Sequence, residues 1–314
     1  MRTYEAVKDI DENDIARKGG VLSQYDLGVL EKVNPCNQKY HMNEEEFFIT
    51  YDMKLNILNF NKYLNLRVPA TMVGLPFSVC AQAFKGDIQS FVKGLKGMTV
   101  VLNCDEPIER NCGQTLSTYI FENRFRDFGE YLDALRSNYR YRIQKALKKR
   151  DRLTIEKIES KDFDEELYQL YEEVFNNSED QLEKLSLGFF QTYPGEIYVF
   201  KTVEGESLGF VQTKAFGDEL LFLFGGFSRE YNSKYELYYN MILWIIELGI
   251  KGQYRTINMG QTADATKLKV GCKEQKKYMY CFHSNAVLNG VLGKLVPYFS
   301  YKSYAIEHRV FKRN

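Results

Sequence analysis

The chain has 314 residues, more than one hydrophobic core usually covers, so two domains of about 150 residues are the expectation. Hydrophobic residues make up 44% and charged residues 27%, with 6 Pro and 22 Gly, which excludes collagenous, low-complexity and wholly disordered chains. Lys+Arg and Asp+Glu both total 42, so any electropositive site has to come from local segregation of charge.

Short helical pieces are expected over 11–33, followed by the alternating stretch EEFFITYDMKLNILNF, which reads as strands facing a core. The run LRVPATMVGLPFSVC is broken by two prolines and suits an edge or interrupted strand. DIQSFVKGLK reads as a helix capped by Asp87, MTVVLN as a buried strand and TLSTYIFE as another strand. From Phe128 the pattern changes. Tyr131, Leu135, Tyr139, Ile143 and Leu147 recur every fourth residue, the signature of one face of a long helix. Its second half is strongly basic (Arg136, Arg140, Arg142, Lys145, Lys148, Lys149, Arg150, Arg152), and eleven carboxylates follow over 156–183. The charge changes sign near residue 153. The expected layout is therefore an N-terminal domain over 1–135, a basic bridging helix over 136–152 and a C-terminal domain over 153–314.

In the second half TIEKIE reads as a strand, DFDEELYQLYEEVFNNS as a helix, and EIYVFKTVEGESLGFVQTKAFGDELLFLFGGFS as three antiparallel strands with turns at Glu204-Gly205 and Gly217-Asp218. A strongly apolar helix over 233–248 ends at Gly249. TINMG, TADATKLKVG and KKYMYCFHS follow as strand, short helix and strand. The C-terminal AVLNGVLGKLVPYFSYKSYAIEHRVFKR reads as amphipathic; packing against the core is expected, with an interfacial role as the alternative.

The six cysteines form no CxxC pair and the three histidines no HExxH-like spacing, so no metal site is expected. The charged N-terminus lacks the apolar core of a signal peptide, and no apolar run reaches the roughly 18 residues of a membrane span. A cytoplasmic protein without an integral membrane segment is the expectation.

Three stretches carry a resemblance to a known group. They are SNYRYRIQKALKK (137–149), LFLFGGFSREYNSKYELYYNMILWIIELG (221–249) and INMGQTADATKLKVG (257–271). The second half resembles the GNAT acyltransferase fold, specifically the acetyltransferase-like domain of the peptidoglycan-bridge (Fem-type) group. The resemblance implies an α+β protein of two GNAT-like domains in tandem, each a mixed, mostly antiparallel sheet flanked by helices. It implies an N-acyltransferase that moves an acyl or aminoacyl group from an activated donor to an amine. The acceptor would be a small molecule or a cell-wall precursor, and no cofactor would be permanently bound.

In such a domain the donor enters between two splayed strands, and its phosphates rest on the N-terminus of the next helix. Here that stretch supplies Arg229, Asn232, Ser233, Lys234 and Tyr235 as donor-binding candidates, with Ser233 as a plain N-cap the alternative. The Gly-rich phosphate loop of ordinary acetyl-CoA users is absent. That leaves both acyl-CoA and a bulkier aminoacyl-tRNA as donors, with tRNA as a partner in the second case. Lys267 lies near the position of the family's leaving-group acid and is the catalytic candidate. Glu230, Glu236 and Glu247 are available carboxylates, with no single base standing out. Arg142 and Lys145, three apart on the basic helix, share a face and are expected to bind an anionic part of the substrate at an interdomain groove. A non-catalytic ligand- or partner-binding module on the same scaffold is the competing function.

Overall fold

A computed structural model describes residues 1–18, 22–33, 36–56, 67–76, 83–108, 110–178, 184–262, 264–301 and 307–312. The chain divides into two compact units, Met1–Ser117 with Lys276–Ser303, and Thr118–Gln275 with Tyr304–Asn314. These divisions differ from the 135 and 153 expected from the charge reversal. A change in charge sign marks a change of surface, whereas the units are defined by which strands pair, and the chain returns late to the first unit.

The N-terminal stretch supplies strands β1 (Arg2–Tyr4), β2 (Lys39–Met42), β3 (Phe47–Asn56), β4 (Arg67–Val73), β5 (Phe84–Lys85) and β6 (Met98–Cys104), with helices α1 (Glu12–Lys18), α2 (Gln24–Val33) and α3 (Ile88–Lys93). Next come β7 (Cys112–Glu122), α4 (Phe128–Ala134), α5 (Ser137–Arg150), β8 (Thr154–Ile158), α6 (Glu165–Asn176), α7 (Leu187–Thr192), β9 (Glu196–Lys201), β10 (Ser207–Phe216) and β11 (Glu219–Phe227). The chain ends with α8 (Arg229–Tyr235), α9 (Leu237–Lys251), β12 (Thr256–Asn258), α10 (Asp264–Lys269), β13 (Lys273–His283) and α11 (Ala286–Leu295).

In the first unit the strands run β1-β2-β3-β4-β6-β13, antiparallel except for the parallel pair β4–β6, with β5 on β3. Asp87 caps α3 by accepting from the backbone N–H groups of Gln89 and Ser90, as its sequence position suggests. His41 on β2 is held between Thr3 Oγ1, 3.0 Å from Nδ1, and Thr50 Oγ1, 2.8 Å from Nε2. Burial, with the charge of Lys39 beside it, lowers the His41 pKa below its ordinary value. The unfolded chain therefore takes up this proton first, so the His41 contribution is complete above the ordinary histidine range and is lost as pH falls through it. Melting temperature is expected to drop between about pH 7.5 and about pH 5.5, and His41→Gln is expected to flatten that slope. An equal slope in the variant would remove His41 as its source.

The second unit runs β7-β12-β11-β10-β9-β8, antiparallel except for β11–β12. Its core gathers Phe121, Tyr131, Ile143, Phe200, Ile242, Ile246 and Ile257 between this sheet and helices α4, α5 and α9. The expected long helix is two. Leu135 and Arg136 are extended; Leu135 bridges Phe311 and the Arg136 N–H donates to Val310 O at 2.9 Å. The C-terminal tail thus fills the gap between α4 and α5, and four-residue spacing alone cannot register a break held from so far along the chain. The expected helix over 233–248 is also two, and Gly249 lies inside α9 instead of capping it. A Cβ there would sit 2.2 Å from Ile257 Cδ1, so the glycine serves close helix–sheet contact.

Candidate functional site

The site is built by a parallel strand pair. Strands β11 and β12 pair only over Glu219–Leu221 with Thr256–Asn258, after which β11 continues through Phe227 paired with β10 alone. A register shift between Gln212 and Thr213 falls beside this divergence. Because the pair is parallel, both C-terminal ends point the same way. The helices that follow them, α8–α9 and α10, converge at that end, the usual place for a ligand crevice in a parallel arrangement.

A cleft of about 490 Å³ lies among these helices and α5, lined by Arg142, Lys145, Asn232, Ser233, Glu236, Tyr238, Tyr239, Thr266 and Lys269, with no residue of β11 or β12 in its lining. All nine belong to the second unit. The cations expected at an interdomain groove therefore line a cleft within one unit, because α5 packs against α8 and α9.

The break between α8 and α9 shapes one wall. Glu236 adopts a left-handed conformation (φ 49°, ψ 49°), which is costly for a residue with a side chain. Lys149 holds it there, donating from Nζ to Ser233 O and to Glu236 Oε1, each at 3.0 Å. Asn232 Oδ1 accepts from the Tyr238 N–H at 3.1 Å, tying the end of one helix to the first turn of the next. Replacing Lys149 with Met is expected to cost about 1 kcal/mol, the lower end for a charge-assisted bond because the pair is partly exposed. A urea midpoint that moves down at unchanged m-value checks this; an unmoved midpoint would show that the break holds itself.

Three cations, Arg142, Lys145 and Lys269, line the cleft, and among the described residues none has an ion-pair partner. Three other cations of α5 are paired: Lys149 with Glu236, Arg150 with Glu247 at 2.8 Å and Arg140 with Asp133 at 3.4 Å. The single lining carboxylate, Glu236, is thus already engaged. Burial, with Glu236 alongside, raises the Tyr239 pKa and keeps its phenol protonated at neutral pH.

Of the candidates named from sequence, the cleft brings together Arg142, Lys145, Asn232 and Ser233. Ser233 lies inside α8 and is no N-cap; Ser228 holds that position without a side-chain cap bond. Arg229 and Lys234 are exposed and absent from the lining, the latter lying over the Tyr231 and Tyr235 rings. Tyr235 is buried in a small apolar cluster with Leu208 and Leu237. Lys267 is buried (1% exposed), donates to Gln261 O at 2.6 Å and lies 5.7 Å from the Tyr119 ring centre. Its neighbours Thr266 and Lys269 line the cleft instead. Sequence reasoning did not single out Lys269, Tyr238 or Tyr239. Lys269 had a legible signal, a second lysine two residues from the one chosen.

No protein-family model matches the chain, and no curated protein matches it in sequence. Solved structures do share its fold. L-PGS from Bacillus licheniformis is 14% identical with a TM-score of 0.55, over 91% of this chain and 94% of that one. The C-terminal domain of a candidate lysylphosphatidylglycerol synthetase from Agrobacterium fabrum is 13% identical with a TM-score of 0.57, over the same shares, 91% and 94%. FemX is 11% identical with a TM-score of 0.52, over 94% of this chain and 99% of that one. The mixed α+β fold expected from the Fem-type resemblance is the fold observed.

Proposed function

We propose that the chain is an N-acyltransferase built of two GNAT-like units in tandem, with the donor bound in the cleft of the second unit. The observation that carries this reading is a cleft among the helices that follow two diverging parallel strands, lined by three cations that have no ion-pair partner among the described residues. Arg142, Lys145 and Lys269 supply charge for the anionic arm of acyl-CoA or aminoacyl-tRNA. In this reading the donor's amide arm extends from the cleft toward β11 beyond Leu221, where β12 no longer pairs with it, and the Tyr238 and Tyr239 rings give the cleft an aromatic wall.

The chemistry asks little more of the protein. The amine nitrogen attacks the acyl carbonyl carbon, the new C–N bond forms and the ester or thioester bond breaks. The amine's proton ends on the leaving oxygen or sulfur, and the Tyr239 hydroxyl, which lines the cleft, is our candidate to relay it. Positioning the two reactants supplies most of the rate, so a dedicated carboxylate base is not required. In this reading Lys267 is a positioning residue that pins the loop carbonyl of Gln261. The names of the structural neighbours favour an aminoacyl group as cargo, and the Fem-type motifs favour an amine of a cell-wall precursor as acceptor.

A thermal-shift screen against acetyl-CoA, longer acyl-CoAs and charged tRNA tests the proposal, since a donor bound to the native state raises the melting temperature. A rise with one donor class, abolished in the Arg142→Ala/Lys145→Ala protein, supports it. No rise with any donor would leave a binding module for another ligand, the reading that the missing Gly-rich loop favours.

A further inference from the structure

Helix α11 is oriented against the ordinary rule for a surface helix. Five of the nine large hydrophobics that the described residues leave exposed fall between Val287 and Tyr298. Val287, Leu288, Val291, Leu295 and Tyr298 are 75%, 50%, 47%, 45% and 85% exposed. At 3.6 residues per turn the first four lie within an arc of about 100°, a continuous apolar stripe. Single exposed hydrophobics are ordinary; a stripe of them is not.

The opposite side, small and polar, holds the helix to the first unit. Asn111 Nδ2 donates to Asn289 Oδ1 at 2.8 Å and to Asn289 O at 3.2 Å, and the His283 N–H donates to the same Oδ1 at 3.0 Å. Gly293 is pressed so closely that a Cβ would stand 2.6 Å from Asn111 Oδ1. Beyond the helix, Ser300 Oγ accepts from the Gln114 N–H at 3.2 Å. Leu292 and Val296 alone of the segment's aliphatic side chains reach the neighbouring apolar cluster. Turning the helix over would bury its stripe, yet these bonds fix it outward.

Charge identifies what covers the stripe. Residues 284–301 hold one lysine and no carboxylate in a chain where 27% of residues are charged. Lys294 flanks the apolar arc by about 20°, where its stem can follow the stripe and its ammonium can rise to a headgroup layer. Two exposed cations stand next to residues that bond this segment: Lys96 beside Gly97, whose N–H donates to Ser284 Oγ at 2.9 Å, and Arg110 beside Asn111. Tyr298, the most exposed of the five, is a residue type that favours the membrane–water interface. No helix among the described residues is long and apolar enough to cross a membrane.

We propose that α11 and the turn after it are a docking surface for a bilayer containing anionic lipid, with Val287, Leu288, Val291, Leu295 and Tyr298 entering the interface and Lys294 engaging headgroups. The proposal rests on this surface alone and is independent of the acyl-transfer reading.

Vesicle co-sedimentation of the full chain tests it, using phosphatidylcholine alone and phosphatidylcholine mixed with phosphatidylglycerol. The native protein is expected to sediment with the mixed vesicles, less so as salt is raised. Val291→Ser/Leu295→Ser is expected to weaken that binding at least about tenfold, and Lys294→Gln about fivefold. Both sites are exposed, so melting temperatures should not move; if the double variant unfolds, Tyr298→Ser provides the same test. Absence of binding to either vesicle, or equal binding by native protein and variants, would overturn the proposal. So would a native dimer in light scattering that the apolar substitutions dissociate, since the stripe would then join two copies of the chain.

Discussion

Replacing Arg142 and Lys145 together with Ala is expected to weaken donor binding about thirtyfold while leaving the melting temperature unchanged. Charge-assisted hydrogen bonds contribute about 1–3 kcal/mol each, and because both side chains are exposed the lower end applies, giving about 2 kcal/mol for the pair. About 1.4 kcal/mol corresponds to a factor of ten in affinity. Stability is unaffected because neither residue has an ion-pair partner among the described residues, unlike Lys149 and Arg150 on the same helix. The affinity difference should shrink as salt is added, since screening weakens the native protein more than the variant. Titration of native and variant proteins with the donor at two salt concentrations reads both effects. A variant that melts earlier yet binds equally well would make these residues scaffold.

Gly226→Ala is expected to destabilise the second unit by about 3 kcal/mol, the upper part of the range for overpacking. The sequence LFGGF places two glycines near the end of β11, and the structure gives the reason for the second. A Cβ on Gly226 would stand 2.5 Å from the backbone nitrogen of Tyr171 and 2.6 Å from the carbonyl carbon of Leu170, so α6 itself would have to move. Backbone cannot rotate away as a side chain does. For a unit of this size the cost corresponds to a fall of roughly 6–12 °C in melting temperature. Gly290→Ala in α11 is the control, because a Cβ there meets nothing within 4 Å. It should be neutral or slightly stabilising, as removing a helical glycine usually is. Equal melting temperatures for the two variants would show that α6 yields without cost.

The parts of this architecture legible in the sequence were those set by local pattern. The strands EIYVFK and SLGFVQTKAF, the Asp87 cap and the turns at Glu204-Gly205 and Gly217-Asp218 all sit where local pattern and turn chemistry put them. The shared face of Arg142 and Lys145 was legible for the same reason, being a matter of helical spacing. What depended on distant partners was not. Val310 and Phe311 split a helix whose apolar spacing is unbroken, Lys149 stabilises a left-handed Glu236 that no propensity favours, and Asn111 turns α11 with its apolar face outward. The C-terminal stretch packs on the core through Leu292, Val296 and Val310, as expected, but Val287, Leu288, Val291 and Leu295 face outward, because amphipathicity shows that two faces exist and not which one is bonded to the body. Lys267 illustrates the same limit. Its place in the motif suggested chemistry, while its burial and its bond to Gln261 depend on the loop around it.

Hydrogen exchange with and without a saturating donor tests the central claim most directly, because it reports where the ligand sits without assuming the reaction. Protection is expected at the start of α9, around Glu236 to Asn240, in the facing turn of α5 around Arg142 and Lys145, and in α10, with none in α11. Protection confined to the first unit, or none in α5 and α9 while the donor is bound, would contradict the assignment of the cleft as the donor site.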